Sequence, residues 1–233
     1  MRILAVADHE DPALGEHFRR ERWGEIDAII SCGDLKAEYL EYLVSRFDRP
    51  LYYVRGNHDI DYSKSGPGGC ESIDGRIIRL GDLRVLGLEG SRWYGGKGVE
   101  LTEQRMAMKI KSAEVRMLLS GKIDILVTHA PPRFCADHRC DKPQGLGRAC
   151  VVRAGDRCTE AGDLPHAGFE TLQSFVLGHR PPFLLHGHTH LSYGMVKRQR
   201  LLGDTRVIDC YGAYILDTDA PLIRPAEIAS PAD

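Results

Sequence analysis

Short apolar runs and amphipathic stretches alternate along the chain, and nearly every apolar run stops at a polar cluster. Ile3-Leu4-Ala5-Val6-Ala7 reads as a buried strand that ends at Asp8. Residues 13–22 carry a helix-compatible pattern. The run 26–31 predicts a second strand, ending at Cys32-Gly33-Asp34. A helix follows over 36–47, with Tyr39, Leu40, Leu43 and Phe47 on one face at helical spacing. A third strand, 51–54, runs into Arg55-Gly56-Asn57-His58-Asp59.

Further along, 76–80 and 83–88 form a hairpin about Gly81-Asp82. A glycine-rich loop over 90–98 carries Trp93 and Tyr94, and a helix covers 102–119. The strand 123–127 ends at Thr128-His129-Ala130-Pro131-Pro132. After an irregular stretch over 133–165 come a helix at 168–177 and a strand at 183–185, which stops at His186-Gly187-His188-Thr189-His190. Late strands near 193–197, 205–209 and 213–217 are expected to be antiparallel and to complete a second sheet. The proline- and alanine-rich tail from 220 is expected to be loose.

Strand–helix–strand repetition builds a mostly parallel sheet through right-handed crossovers. Ligands bind such sheets along the edge where the carboxyl ends of the strands meet. The polar clusters are therefore expected to converge in space although they lie far apart in sequence.

Together the clusters supply Asp8, Asp34, Asn57, His129, His188 and His190. Carboxylate oxygen, amide oxygen and imidazole nitrogen suit Mn, Fe, Zn or Ni. One ion uses three or four such ligands, so six predict two metal ions, with a carboxylate such as Asp34 able to bridge them. Taken singly, each residue also has a plain reading: an aspartate after a strand often forms a turn or caps a helix. The ordered set at successive strand ends, three of the clusters with a glycine, is what favours a site.

The series Asp8, Gly33-Asp34, Gly56-Asn57-His58-Asp59, Thr128-His129 and Gly187-His188-Thr189-His190 resembles the calcineurin-like metallophosphoesterase family, from residue 1 to about 217. That resemblance implies an α/β fold of four layers, an α-β-β-α sandwich of two mixed sheets, with a dinuclear metal centre at the carboxyl edge of the strands. It implies that Asp34 bridges the ions, that Asp8 and His190 serve one, and that Asn57, His129 and His188 serve the other. His58 would stand beside the metals as a catalytic group, donating to a phosphoryl oxygen or protonating the leaving alkoxide. Asn57 and His58 would also meet the substrate. Asp59, also taken as catalytic, either orients His58 or caps the next turn.

One position departs from the family pattern. The first motif has histidine two places after the aspartate, where this chain has Glu10, with His9 one place earlier. Side chains alternate in an extended segment, which aims Glu10 better than His9. A carboxylate there would favour harder metals such as Mn, and it also leaves room for a non-catalytic scaffold on the same fold.

Beyond these clusters, Arg55 either touches phosphate or is an exposed charge, His186 is a buried or supporting residue, and His166 either contacts substrate or starts a helix. Cys135, Cys140, Cys150 and Cys158 lie in the 133–165 insertion, which could form a substrate lid. They either bind a structural zinc, with His138 as a possible substitute ligand, or are ordinary thiols.

At 233 residues, with 42% hydrophobic and 27% charged positions, the chain is expected to be one soluble domain with a real core. No apolar run approaches the roughly 18 residues that span a bilayer. The seven cysteines and the absence of a signal-like start make a reducing cytoplasm the expected location. A net charge of -2 gives no general attraction to nucleic acid, although Arg133, Lys142, Arg148 and Arg153 could form a local patch. The expected activity is therefore metal-dependent hydrolysis of a small phosphodiester or phosphomonoester, with a nuclease as the alternative. No membrane partner is expected.

Overall fold

The computed structural model describes residues 1–59, 62, 66–96, 98–133, 168–191 and 198–220. The first half contains β1 (Arg2–Ala7), α1 (Arg20–Trp23), β2 (Ala28–Ser31), α2 (Ala37–Phe47), β3 (Leu51–Tyr53), β4 (Cys70–Ser72), β5 (Ile77–Leu80), β6 (Leu83–Leu88), β7 (Ser91–Arg92) and β8 (Glu100–Leu101). It continues with α3 (Glu103–Ser120), β9 (Ile125–Thr128), α4 (Glu170–His179), β10 (Phe183–His186), β11 (Gln199–Leu202), β12 (Thr205–Asp209) and β13 (Gly212–Asp217). One sheet has the order β13-β1-β2-β3-β4 and the other β11-β12-β10-β9-β6-β5, with β7 and β8 as a separate pair. Both large sheets are mixed. In the first, β1 to β4 run parallel and β13 opposes β1. In the second, β12, β10, β9 and β6 run parallel between antiparallel edges.

Three apolar cores account for four layers. Period-two alternation sends Ile3, Ala5 and Ala7 of β1 inward, to meet Ile125, Val127, Leu185 and Ile208 of the second sheet. Leu4 and Val6 point outward, onto Leu40, Leu43 and Phe47 of α2. On the far side, Leu86, Leu126 and Leu184 pack against Met106, Ile110, Ala113 and Met117 of α3 and Leu172, Phe175 and Val176 of α4. The order is helix, sheet, sheet, helix, as the resemblance implied. Within α3 the buried positions recur at helical spacing, and the Thr102 hydroxyl caps its start by accepting from the Arg105 amide at 3.3 Å.

Three expectations need correction. The helix over 13–22 is mostly turns, with only Arg20–Trp23 helical. Asp11 draws the backbone away from a helix: its carboxylate takes the Ala13 amide at 2.8 Å and its carbonyl the Leu14 amide at 2.9 Å. Strand β12 runs parallel to β10, and β13 joins the first sheet rather than the second. An apolar run identifies a buried strand but carries no information about its direction or partner. The strand expected near 193–197 and the cysteines at 135, 140, 150 and 158 lie outside the described residues, as do His138 and His166.

Candidate metal centre

The parallel strands deliver their terminal residues to one edge. Asp8 follows β1, Asp34 lies just beyond β2, Asn57 beyond β3, His129 follows β9, and His188 comes two residues after β10. Among the described residues five non-glycine positions have positive φ: Asp8 at 61°, Asp34 at 58°, His188 at 69°, Asp48 and Arg180. The last two are helix C-caps, where a left-handed residue is ordinary. The other three are site residues, held in a conformation that costs roughly 1–3 kcal/mol each. Close approach explains the motif glycines. A Cβ at Gly56 would run into the Asp34 carboxylate and the His129 ring, and one at Gly187 would run into the Asp8 carboxylate.

Ligand atoms of Asp34, His129 and His188 all lie within 4.8 Å of one another. His129 is fully buried. Its Nδ1 meets the Cys32 carbonyl at 2.8 Å, an acceptor, so Nδ1 carries the hydrogen. Nε2 is then left facing the Asn57 Oδ1 at 3.0 Å and the Asp34 Oδ2 at 3.4 Å. Three electron-pair donors cannot face one another unless a cation or a proton lies among them. A proton on His129 Nε2 meets the same need. Burial opposes charge on His129, but the Asp34 charge and hydrogen bond, with Asp8 behind, push its pKa up to about 10. Burial likewise opposes ionisation of Asp34, yet His129, the His58 amide and the His58 ring hold its carboxyl well below the usual carboxylate range. Asp8 goes the other way: burial, with repulsion from Asp34, lifts it to about 8 against the pull of His129 and the His188 amide. The donor set therefore fits a divalent cation.

A family comparison covers most of this architecture: the model for calcineurin-like phosphoesterases matches residues 1–192. The chain belongs to that family. No curated protein sequence matches it. Solved structures share the fold at low identity. One superposes with a TM-score of 0.61 at 12% identity, over 93% of this chain and 94% of its own. TT1561 of Thermus thermophilus does so with a TM-score of 0.52 at 14% identity, over 90% and 88%. A Vps29 single mutant from Entamoeba histolytica gives 0.38 at 15% identity, over 90% and 73%.

In this calcineurin-like phosphoesterase the remaining site residues divide by what they touch. His58 is exposed, with its backbone amide donating to Asp34 Oδ1 at 2.8 Å and its Nε2 3.9 Å from Asp34 Oδ2. Asp59 is buried, and its Oδ2 accepts the backbone amides of Asp34 and Gly56, both at 2.8 Å. Those bonds tie the β2 and β3 loops together rather than orienting the His58 ring. Arg55 is neither an open phosphate contact nor a lone exposed charge, because Glu89 takes it bidentately at 2.8 and 2.9 Å. His186 is fully buried, bonded through Nδ1 to the Gly187 carbonyl, and burial depresses its pKa.

The first-motif departure resolves against the alternation argument. With Asp8 left-handed, the segment is not extended, and Glu10 turns out to an exposed pair with Lys36 at 3.5 Å. His9 stacks on Tyr211 with centroids 5.6 Å apart, and His190 packs on the same Tyr211 at 5.3 Å.

Sequence reasoning gave no role to Tyr94, Glu100, Asp209 or Tyr211. Asp209 is buried and accepts from the Thr189 hydroxyl at 2.7 Å and the Tyr211 amide at 2.9 Å, which anchors the loop bearing His188. The signal in the sequence was a charged residue closing an apolar strand, the same signal that marked Asp8.

Proposed function

We propose that this chain is a metal-dependent phosphoester hydrolase. The observation that supports this most is the facing of His129 Nε2, Asn57 Oδ1 and Asp34 Oδ2, beside His188, in an arrangement that a cation among them reconciles. Asp34, Asn57, His129 and His188 would hold one ion, and Asp34, Asp8 and His190 a second. The mixed oxygen and nitrogen donors suit Mn, Fe, Zn or Ni. Bound there, divalent cations would neutralise phosphate charge and lower the pKa of a water so that, once deprotonated, it could attack phosphorus.

The chain's own groups do the rest. Asp34 stays ionised and holds the His58 amide, which keeps the His58 ring at the open rim of the site. From there its imidazole donates to a phosphoryl oxygen or to the departing alkoxide. The favoured substrate is a small phosphodiester or phosphomonoester rather than long nucleic acid, since the net charge of -2 offers little for a polyanion. No helix among the described residues is long and apolar enough to cross a membrane.

The test is hydrolysis of bis-p-nitrophenyl phosphate and p-nitrophenyl phosphate by the Mn-loaded protein. The wild type turns over, and His58→Ala loses roughly 10²–10⁴-fold in kcat while binding Mn normally. No turnover by the loaded wild type, or unchanged turnover in His58→Ala, would leave the scaffold reading in its place.

A further inference from the structure

The loop between β7 and β8 reaches back to the metal edge. Gly90 donates its amide to the Arg55 carbonyl at 2.8 Å, which joins the loop's root to the end of β3. At its tip, Glu100 Oε2 accepts three successive backbone amides, those of Tyr94, Gly95 and Gly96, each at 2.9 Å. Glu100 is itself buried. A carboxylate gathering three amides fixes the loop's conformation, and with it the place of Tyr94. The Tyr94 hydroxyl lies 3.1 Å from Asn57 Nδ2.

Asn57 has only two ways to present its amide. A cation among Asp34, His129 and His188 binds the oxygen, so the NH₂ half must face away, and Asn57 is buried. That half then needs an acceptor, and Tyr94 is placed to be one. A phenol also donates, so Tyr94 satisfies the amide in either orientation. Its role is selective only in the metal-bound state, where no other orientation of Asn57 serves.

We infer that Tyr94, set in place by Glu100, is a positioning residue for the metal ligand Asn57, accepting its Nδ2 hydrogen so that Oδ1 can face the cation. This rests on the reading of the cluster as a metal site. Part of the ligand's strength then comes from a loop that carries none of the sequence motifs.

A double-mutant cycle on Mn²⁺ affinity, measured by calorimetric titration of the intact protein, tests it without reference to turnover. Tyr94→Phe keeps the ring and removes only the hydroxyl. It is expected to weaken Mn²⁺ binding about tenfold, in the range typical of residues that support a ligand. In an Asn57→Asp background there is no NH₂ to satisfy and the phenol can only donate to the spare carboxylate oxygen, drawing charge from the cation, so Tyr94→Phe is expected to leave affinity unchanged or to raise it. Equal loss in both backgrounds would assign the effect to loop packing and overturn the inference, as would unchanged affinity of Tyr94→Phe alone. A wild type that takes up no Mn²⁺ overturns the metal reading itself and this inference with it, a result distinct from either of those.

Discussion

Saturating the centre with Mn²⁺ at pH 7 is expected to expel about two protons per chain. His129, with its pKa raised to about 10, carries a proton on almost every molecule at that pH. Asp8, raised to about 8, is one unit below its pKa at pH 7 and so about nine-tenths protonated. A cation takes His129 only through a bare Nε2 and Asp8 only as the carboxylate. Asp34 is already ionised and releases nothing. The sum is about one proton from His129 and about 0.9 from Asp8. The sign follows: apparent affinity rises with pH, roughly a hundredfold per unit below 8 and tenfold per unit from there to 10, then levels off. Calorimetric titration in buffers of different ionisation enthalpy reads the count as the slope of observed enthalpy against buffer enthalpy. A slope near two at pH 7 and near one at pH 9 is expected. A slope near zero at pH 7 would refute the reasoning, because the protons would not be occupying the cation's place.

Substitutions at three positions probe the frame of the site. Asp59→Ala strands the amides of Asp34 and Gly56, at about 1–3 kcal/mol each, whereas Asp59→Asn keeps an acceptor oxygen and is expected to lose much less; thermal melts separate the two, and equal losses would show that those bonds do not carry the role. Glu10→Ala removes only an exposed pair with Lys36, changes stability by less than about 0.5 kcal/mol, and leaves Mn stoichiometry intact. His9→Ala, which removes one of the two rings packed on Tyr211, the other being His190, is expected to lower the number of Mn bound; the reverse pattern by metal analysis would restore Glu10 as the group that matters.

Much of this was legible in the residues, for physical reasons. Apolar strands such as Ile3–Ala7 and Ile125–Val127 are buried on both faces, so they read as unbroken runs, and the polar residue that ends each run marks the edge of the sheet. The amphipathic face of α2 was equally plain, and all four of its expected core residues are buried. What stayed hidden depends on backbone direction. Strand polarity for β12, sheet membership for β13, and the turn chemistry around Asp11 leave no trace in hydrophobic period. The choice between Glu10 and His9 failed for the same reason: alternation assumes an extended chain, and a left-handed Asp8 breaks it. Tyr94 and Glu100 sit in a glycine-rich loop, where spacing gives no hint of what a side chain reaches.

Strain and support at the centre come from the same residues. Asp8, Asp34 and His188 each hold a left-handed backbone that nothing local favours. Each is also part of a bond that offsets the cost. Asp8 accepts the His188 amide on both oxygens, at 3.0 and 2.9 Å, and so pins the β10 loop to the end of β1. Asp34 accepts the His58 amide, while its own amide goes to Asp59. The two aspartate side chains thus lock the backbone through one part of their acceptor capacity and leave the rest for a cation. These bonds run among the chain's own groups. A cation bound there would meet ligands that these bonds aim, so little of its binding energy would go to ordering the loops.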